Sequence, residues 1–343
     1  MSRLRPTRPT PTVDWAAAGR RAGTLVPAGT APSADEAAEL VATLRSSASR
    51  AHELALRAAR LDRALAATDA AHGPARVLVV DRAGWARAAA ASFEGISGGR
   101  ALPGTTAQAT AVLALLASRV LGQYDPYTGE GRLVLVAPNV LRAERTMRVP
   151  RADFRLWVCV HEQTHALQFS AAPWLVDHIR GELAALMAEV EQTPPTAEAA
   201  AVLSGLARAL RTRGGGSREQ WSVLDVLPAG QRERVERLTA VMSLLEGHAD
   251  VTMDLAARAI PSARTLRRRM EARRSSSGPG DTLLRRLLGL DAKLAQYRDG
   301  AAFVKAVRRR GGRNALDAAW ASPEGLPLPG EIVDPAAWLR RVG

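Results

Sequence analysis

The stretch "VCVHEQTHALQF" at 158–169 sets His161 and His165 four residues apart, with Glu162 directly after the first. On an α-helix, positions i and i+4 lie one turn apart on the same face, so both imidazoles can reach one Zn²⁺. Glu162, projecting beside them, can reach a water on that ion. Zinc lowers the pKa of such a water toward ~7, and a carboxylate can then take its proton as it attacks a carbonyl. This is the H-E-x-x-H spacing, and it takes up two of only six histidines. The bland alternative is a surface helix with two solvated histidines. "LWVCV" before the motif and "ALQF" after it weigh against that, because they make the helix apolar nearly all round and therefore buried. Histidines and a carboxylate inside a core need partners, and a metal supplies one.

A catalytic zinc takes three protein ligands, and the motif gives two. The extension with Gly three and His six residues after the second histidine is missing, because Gln168 and Ala171 stand there. A glutamate from a later helix is the other common solution, with Glu182, Glu189, Glu191 and Glu246 as candidates. "EGHAD" sets Glu246 and Asp250 at i, i+4, which suits a ligand together with a carboxylate that takes the second N–H of a ligand histidine. His248 could compete, but two residues from Glu246 it points about 200° away on a helix, so it is expected to be dispensable for the metal. Gly247 fits a close approach between this helix and the histidine helix. His178, Tyr124, His248 and Tyr297 have the chemistry to stabilise an oxyanion. His178, just after the site in the chain, is favoured as transition-state stabiliser.

Several elements must position these groups. Ser33 and Glu36 form a capping box ahead of an amphipathic helix or broken pair carrying Leu40, Leu44, Leu54 and Leu61. "RVLVVD" (76–81) and "RLVLVA" (132–137) read as strands. Helices are expected from about Thr106 to Leu121, from about Arg151 through the histidine motif, from Pro173, and over Arg232 to Ala257. Loops are expected at 95–104 and 275–281, breaks at 193–196 and 211–219, and an irregular end beyond Trp320. The fold class is mainly α with a few strands (α+β). Residues 1–12 should be disordered, with 13–343 a single domain in which a helical part, about 13–104, packs on a catalytic part, about 105–343. Trp157 and Trp174 bracket the motif as core residues.

The chain has 343 residues, 47% of them hydrophobic, enough for a substantial core. Its net charge of +13 invites a nucleic-acid reading. Yet Lys293 and Lys305 are the only lysines among 47 basic residues, the arginines are spread along the chain, and aromatic residues are 4%. This is the pattern of a GC-rich genome and a solvated basic face, with too few aromatic rings for base stacking. No specific nucleic acid and no membrane are expected as partners. Cys159 alone excludes a disulfide framework and a thiolate-rich metal site. With no apolar leader and no run of 18 apolar residues, the expected place is the cytoplasm.

"DFRLWVCVHEQTHALQFSAAPWLVDHI" and "LLEGHADVTMD" resemble the zincin-type metallopeptidase family long labelled as a domain of unknown function. Within it they are most similar to the branch named for association with biosynthesis of the deazaflavin coenzyme. "VDWAAAGRRAGTLVPAG", "VVDRAGW", "VLGQYDP", "LVLVAPN", "LLGLDAKLAQYRDGAAFV" and "PAAW" extend the likeness over nearly 13–343. The resemblance implies a zincin-like architecture with the motif helix at its core, one Zn²⁺ per chain, and His161, His165 and Glu246 as its ligands. It leaves the substrate undefined; with Glu162 as general base, the expected substrate is a peptide or protein. The branch name implies genomic company rather than a step on the coenzyme. Zincin-like enzymes commonly hold an extended peptide on a strand edge beside the metal, and "RLVLVAPN" is the candidate, with a plain core strand as its other reading. The alternative function is a zinc-binding module of the same fold that acts in interaction or assembly without proteolysis.

Overall fold

The computed structural model describes residues 12–29, 32–68, 73–97, 105–192, 227–275, 290–312 and 314–343. The expected N-terminal disorder, the breaks at 193–196 and 211–219, and most of the 95–104 and 275–281 loops lie outside them. In chain order the elements are α1 (Trp15–Leu25), α2 (Ala34–Ala59), α3 (Asp62–Ala66), β1 (Arg76–Val80), α4 (Arg82–Ser97) and α5 (Thr106–Ala117). Then come β2 (Gly122–Asp125), β3 (Arg132–Val136), α6 (Ala137–Met147), α7 (Arg151–Ala171) and α8 (Leu175–Gln192). The last are α9 (Ala229–Ala256), α10 (Ala263–Ser275), α11 (Leu290–Gly311), α12 (Ala318–Ala321) and α13 (Pro335–Val342). Among the described residues the chain is therefore mainly helical, with one small sheet. The tail beyond Trp320, expected to be irregular, closes on the short helix α13, started by Pro335 and capped by Asp334.

The sheet has the order β1-β3-β2, with β3 parallel to β1 and antiparallel to β2. β3 lies in the middle and is buried on both faces. Val134 and Val136 join Trp85, Ala89 and Leu113 in a cluster with α1, α4 and α5. Leu133 and Leu135, alternating to the opposite face, pack with Leu44, Phe154 and Val158 of α2 and α7. Of the two readings of "RLVLVAPN", the core strand holds and the edge does not: the edge on the far side of β3 from β1 is β2. That strand is missed by composition because "GQYD" carries little β-branched character. Buried Asp125 ends β2 and organises the following turn, accepting from Ser92 Oγ, Thr128 Oγ1, the Tyr127 N–H and Arg132 Nε at 2.6–3.0 Å.

α2 starts where Ser33 Oγ accepts the Glu36 N–H at 3.2 Å and stops at Arg60, whose φ of 58° is left-handed. Its buried stripe of Leu40, Leu44, Ala48, Ala51 and Ala55 lies against α7. The small residues let the backbones approach, and Gln163 Nε2 reaches the Ala48 carbonyl at 3.1 Å. A second cluster, built on Leu244, Leu245, Phe303, Val307 and Trp338, holds α9 and α11 together. There Gly247 and Gly300 meet backbone to backbone, and a Cβ on Gly247 would come within 2.2 Å of the Gly300 carbonyl carbon. The close approach expected of Gly247 is real, but its partner is α11 rather than the histidine helix.

Candidate metal centre

From Phe154 to Gln168 every residue of α7 is buried except His161 and His165. The apolar flanks sink the helix into the core, and the i, i+4 spacing leaves one open stripe that holds both imidazoles. Most of the other polar groups are satisfied locally or by neighbouring helices, the exception being Gln163 Oε1, which is buried without a partner. Arg155 makes two hydrogen bonds to Glu144, 3.0 and 3.1 Å long, and Thr164 Oγ1 returns to the Val160 carbonyl at 2.7 Å. Asp153, in the first turn, accepts the Ser262 N–H at 2.8 Å and so ties α7 to the start of α10.

His161 Nε2 and His165 Nε2 lie 3.2 Å apart. Glu246, brought over by α9, sets Oε2 3.5 Å from His161 Nε2 and Oε1 3.7 Å from His165 Nε2. Each of the three residues offers one ligand atom, all within 4.8 Å of one another. A tetrahedral zinc with ligand bonds of ~2.0–2.1 Å separates its donors by ~3.3 Å. The group therefore fits a metal ion in both donor chemistry and spacing. It is a two-imidazole, one-carboxylate set, of the kind that leaves a fourth position open.

Glu162, 7% exposed, is turned toward β2. A Cβ at Gly122 would lie 2.8 Å from its Cγ and 3.0 Å from Oε1, so only glycine leaves room for the carboxylate. Burial pushes its pKa up to about 7, with Glu246 adding to the rise, while His165 and the Tyr124 backbone N–H pull it down. His248 is fully buried and held by Gln168 Nε2 at 3.0 Å and the Ala59 carbonyl at 2.9 Å. Burial and Arg308 push its pKa down to about 3. It is not part of the converging group.

A family model described as zincin-like metallopeptidase matches residues 13–339. The chain belongs to this family. It is also similar to a solved structure from Chloroflexus aurantiacus described as "a putative hydrolase with a novel fold". The two are 28% identical with a TM-score of 0.63, and the match covers 96% of this chain and 98% of that one. No curated protein matches the chain.

Other zincin-like expectations fare unevenly. Glu182 and Glu189 are drawn to Arg234 and Arg237 instead, and the side chains of Glu191 and Tyr297 lie outside the described residues. His178 sits edge-on to Trp174 with 6.0 Å between ring centres, and is not in the converging group. Trp157 is buried in the core, whereas Trp174 is half-buried and donates to the Trp320 carbonyl at 3.1 Å. Asp250 lies one turn after Glu246, partly buried, with its carbonyl accepting from Arg267 at 3.1 Å. For His165, the residue that holds Nδ1 is Gln168, whose Oε1 is 2.8 Å away, rather than Asp250, the carboxylate expected to bond one of the two ligand histidines. Gln168 and Gly122 escape the sequence reading, although Gln168 sits three residues after His165, within reach on the helix.

Among the described residues, no helix is long and apolar enough to cross a membrane.

Proposed function

We propose that this chain is a zinc-dependent hydrolase of peptide or amide bonds, taking a peptide or protein as substrate, with Glu162 as its general base. The observation that carries this reading is the convergence of His161, His165 and a glutamate 81 positions further on, with Glu162 held beside them. His161 and His165 through Nε2, and Glu246 through its carboxylate, would hold one Zn²⁺. When bound, zinc supplies Lewis acidity, polarising a carbonyl and acidifying water. Glu162 accepts the proton of the water that attacks the substrate carbonyl and delivers it to the leaving nitrogen. Gly122 keeps the space in which that carboxylate moves. Asp250, on the face of α9 that presents Glu246, is assigned to steady a ligand histidine, with His161 the one left to it.

The test is cleavage of a peptide library by the zinc-loaded chain. Glu162→Gln keeps the shape and removes the base, so it should retain zinc and lose about 10²–10⁴-fold or more in turnover. Undiminished turnover by that variant would rule out the role of Glu162. Zinc binding without any cleavage would favour an interaction module of the same fold.

A further inference from the structure

Behind His165 runs a chain of side chains whose ends are backbone carbonyls. His165 Nδ1 stands 2.8 Å from Gln168 Oε1. Gln168 Nε2 donates to the Leu245 carbonyl at 2.8 Å and lies 3.0 Å from His248 Nδ1. His248 Nε2 in turn lies 2.9 Å from the Ala59 carbonyl. Gln168 and His248 are both 0% exposed, so water does not compete for these bonds.

Carbonyl oxygens only accept, and that fixes each proton along the chain. Ala59 requires an N–H at His248 Nε2, which leaves His248 Nδ1 as the acceptor for Gln168. Leu245 requires the amide nitrogen of Gln168 on its side, which turns Oε1 to His165. His165 must then carry its proton on Nδ1, and its lone pair sits on Nε2, 3.2 Å from His161 Nε2 and 3.7 Å from Glu246 Oε1. The same bonds join three helices. Gln168 belongs to α7, Leu245 directly precedes Glu246 on α9, and Ala59 is the last residue of α2.

We propose that Gln168 and His248 are positioning residues which lock His165 in its Nδ1–H tautomer and tether Glu246 to the histidine helix, so that the donor set is formed before a metal arrives. This rests on the metal reading above. His248 thus acts on the site without joining the donor set: its ring reaches His165 through the Gln168 amide.

The experiment uses the full chain labelled with ¹⁵N-histidine and freed of metal with a chelator. The tautomer of His165 is read from its ring nitrogen shifts, and Co²⁺ affinity from its absorption spectrum. Wild-type His165 should carry its proton on Nδ1, with Nε2 unprotonated. Gln168→Leu should mix the tautomers and weaken Co²⁺ binding about 10–100-fold, the usual effect of losing the partner of a ligand histidine. Gln168→Glu keeps an acceptor for Nδ1 and should keep the tautomer, while it loses the N–H groups that the Leu245 carbonyl and His248 Nδ1 accept. A wild-type His165 protonated on Nε2 would overturn the proposal, and that readout stands even if Gln168→Leu does not fold. Unchanged tautomer and affinity in a folded Gln168→Leu would overturn it equally. A chain that binds no Co²⁺ would defeat the metal reading, while the tautomer measurement would still judge the relay separately.

Discussion

The two halves of α7 both carry polar side chains into the interior and dispose of them in opposite ways. Near its start, the Arg155 and Glu144 side chains are each 1% exposed and close on one another through paired hydrogen bonds. Donor meets acceptor there, and the more exposed Glu39 and Arg151 add looser ion pairs at 3.6 and 3.9 Å. Further along, two imidazole nitrogens and a carboxylate converge at 3.2–3.7 Å on the one stripe of the helix that stays open. Burial of charge on this helix therefore does not mark function by itself. What marks it is a set of ligand atoms that a cation would complete, held by side chains whose own hydrogen bonds are already made.

The comparison breaks if both halves respond alike to substitution. The largest effect is expected at the open half. His161→Ala or His165→Ala should take bound zinc from one per chain to none, measured by metal analysis, because two remaining ligands rarely retain the ion. Circular dichroism should stay helical, since each histidine borders the open stripe. Arg155→Met should do the reverse. It leaves the buried Glu144 with only the exposed Arg151, 3.9 Å away, at a cost of about 3–5 kcal/mol, read as a lower urea midpoint, while the folded variant keeps its zinc. Replacing Glu144 by Leu as well should recover most of that loss, since the pair stabilises little more than apolar residues of its size would. The smallest change sharpens the contrast within the site. Gly122→Ala places a Cβ 2.8 Å from Glu162 Cγ and should cost about 10²-fold in turnover through a displaced base, with zinc content unchanged.

Local signals in the sequence were strong where the partner lies within a turn. His161, Glu162 and His165 are legible from spacing, and α2 from its cap and leucine period. Glu246 was reachable because Asp250 follows it at i+4. The features that escaped depend on residues far apart in the chain. β2 is four residues long and becomes a strand by pairing with β3. Gly122 matters because Glu162 lies against it, and for Gly247 it is the partner, Gly300, that the sequence leaves hidden, not the close approach. Gln168 looks like an ordinary helix glutamine until α9 and α2 supply the carbonyl of Leu245 and the ring of His248.

The central claim is the donor set itself, and anomalous diffraction at the zinc edge from crystals of the zinc-loaded chain tests it most directly. The expected result is one peak per chain, about 2.0–2.2 Å from His161 Nε2, His165 Nε2 and a Glu246 carboxylate oxygen. A peak ligated by His248 with Glu246 turned to solvent, or no peak between the two histidines, would contradict the account.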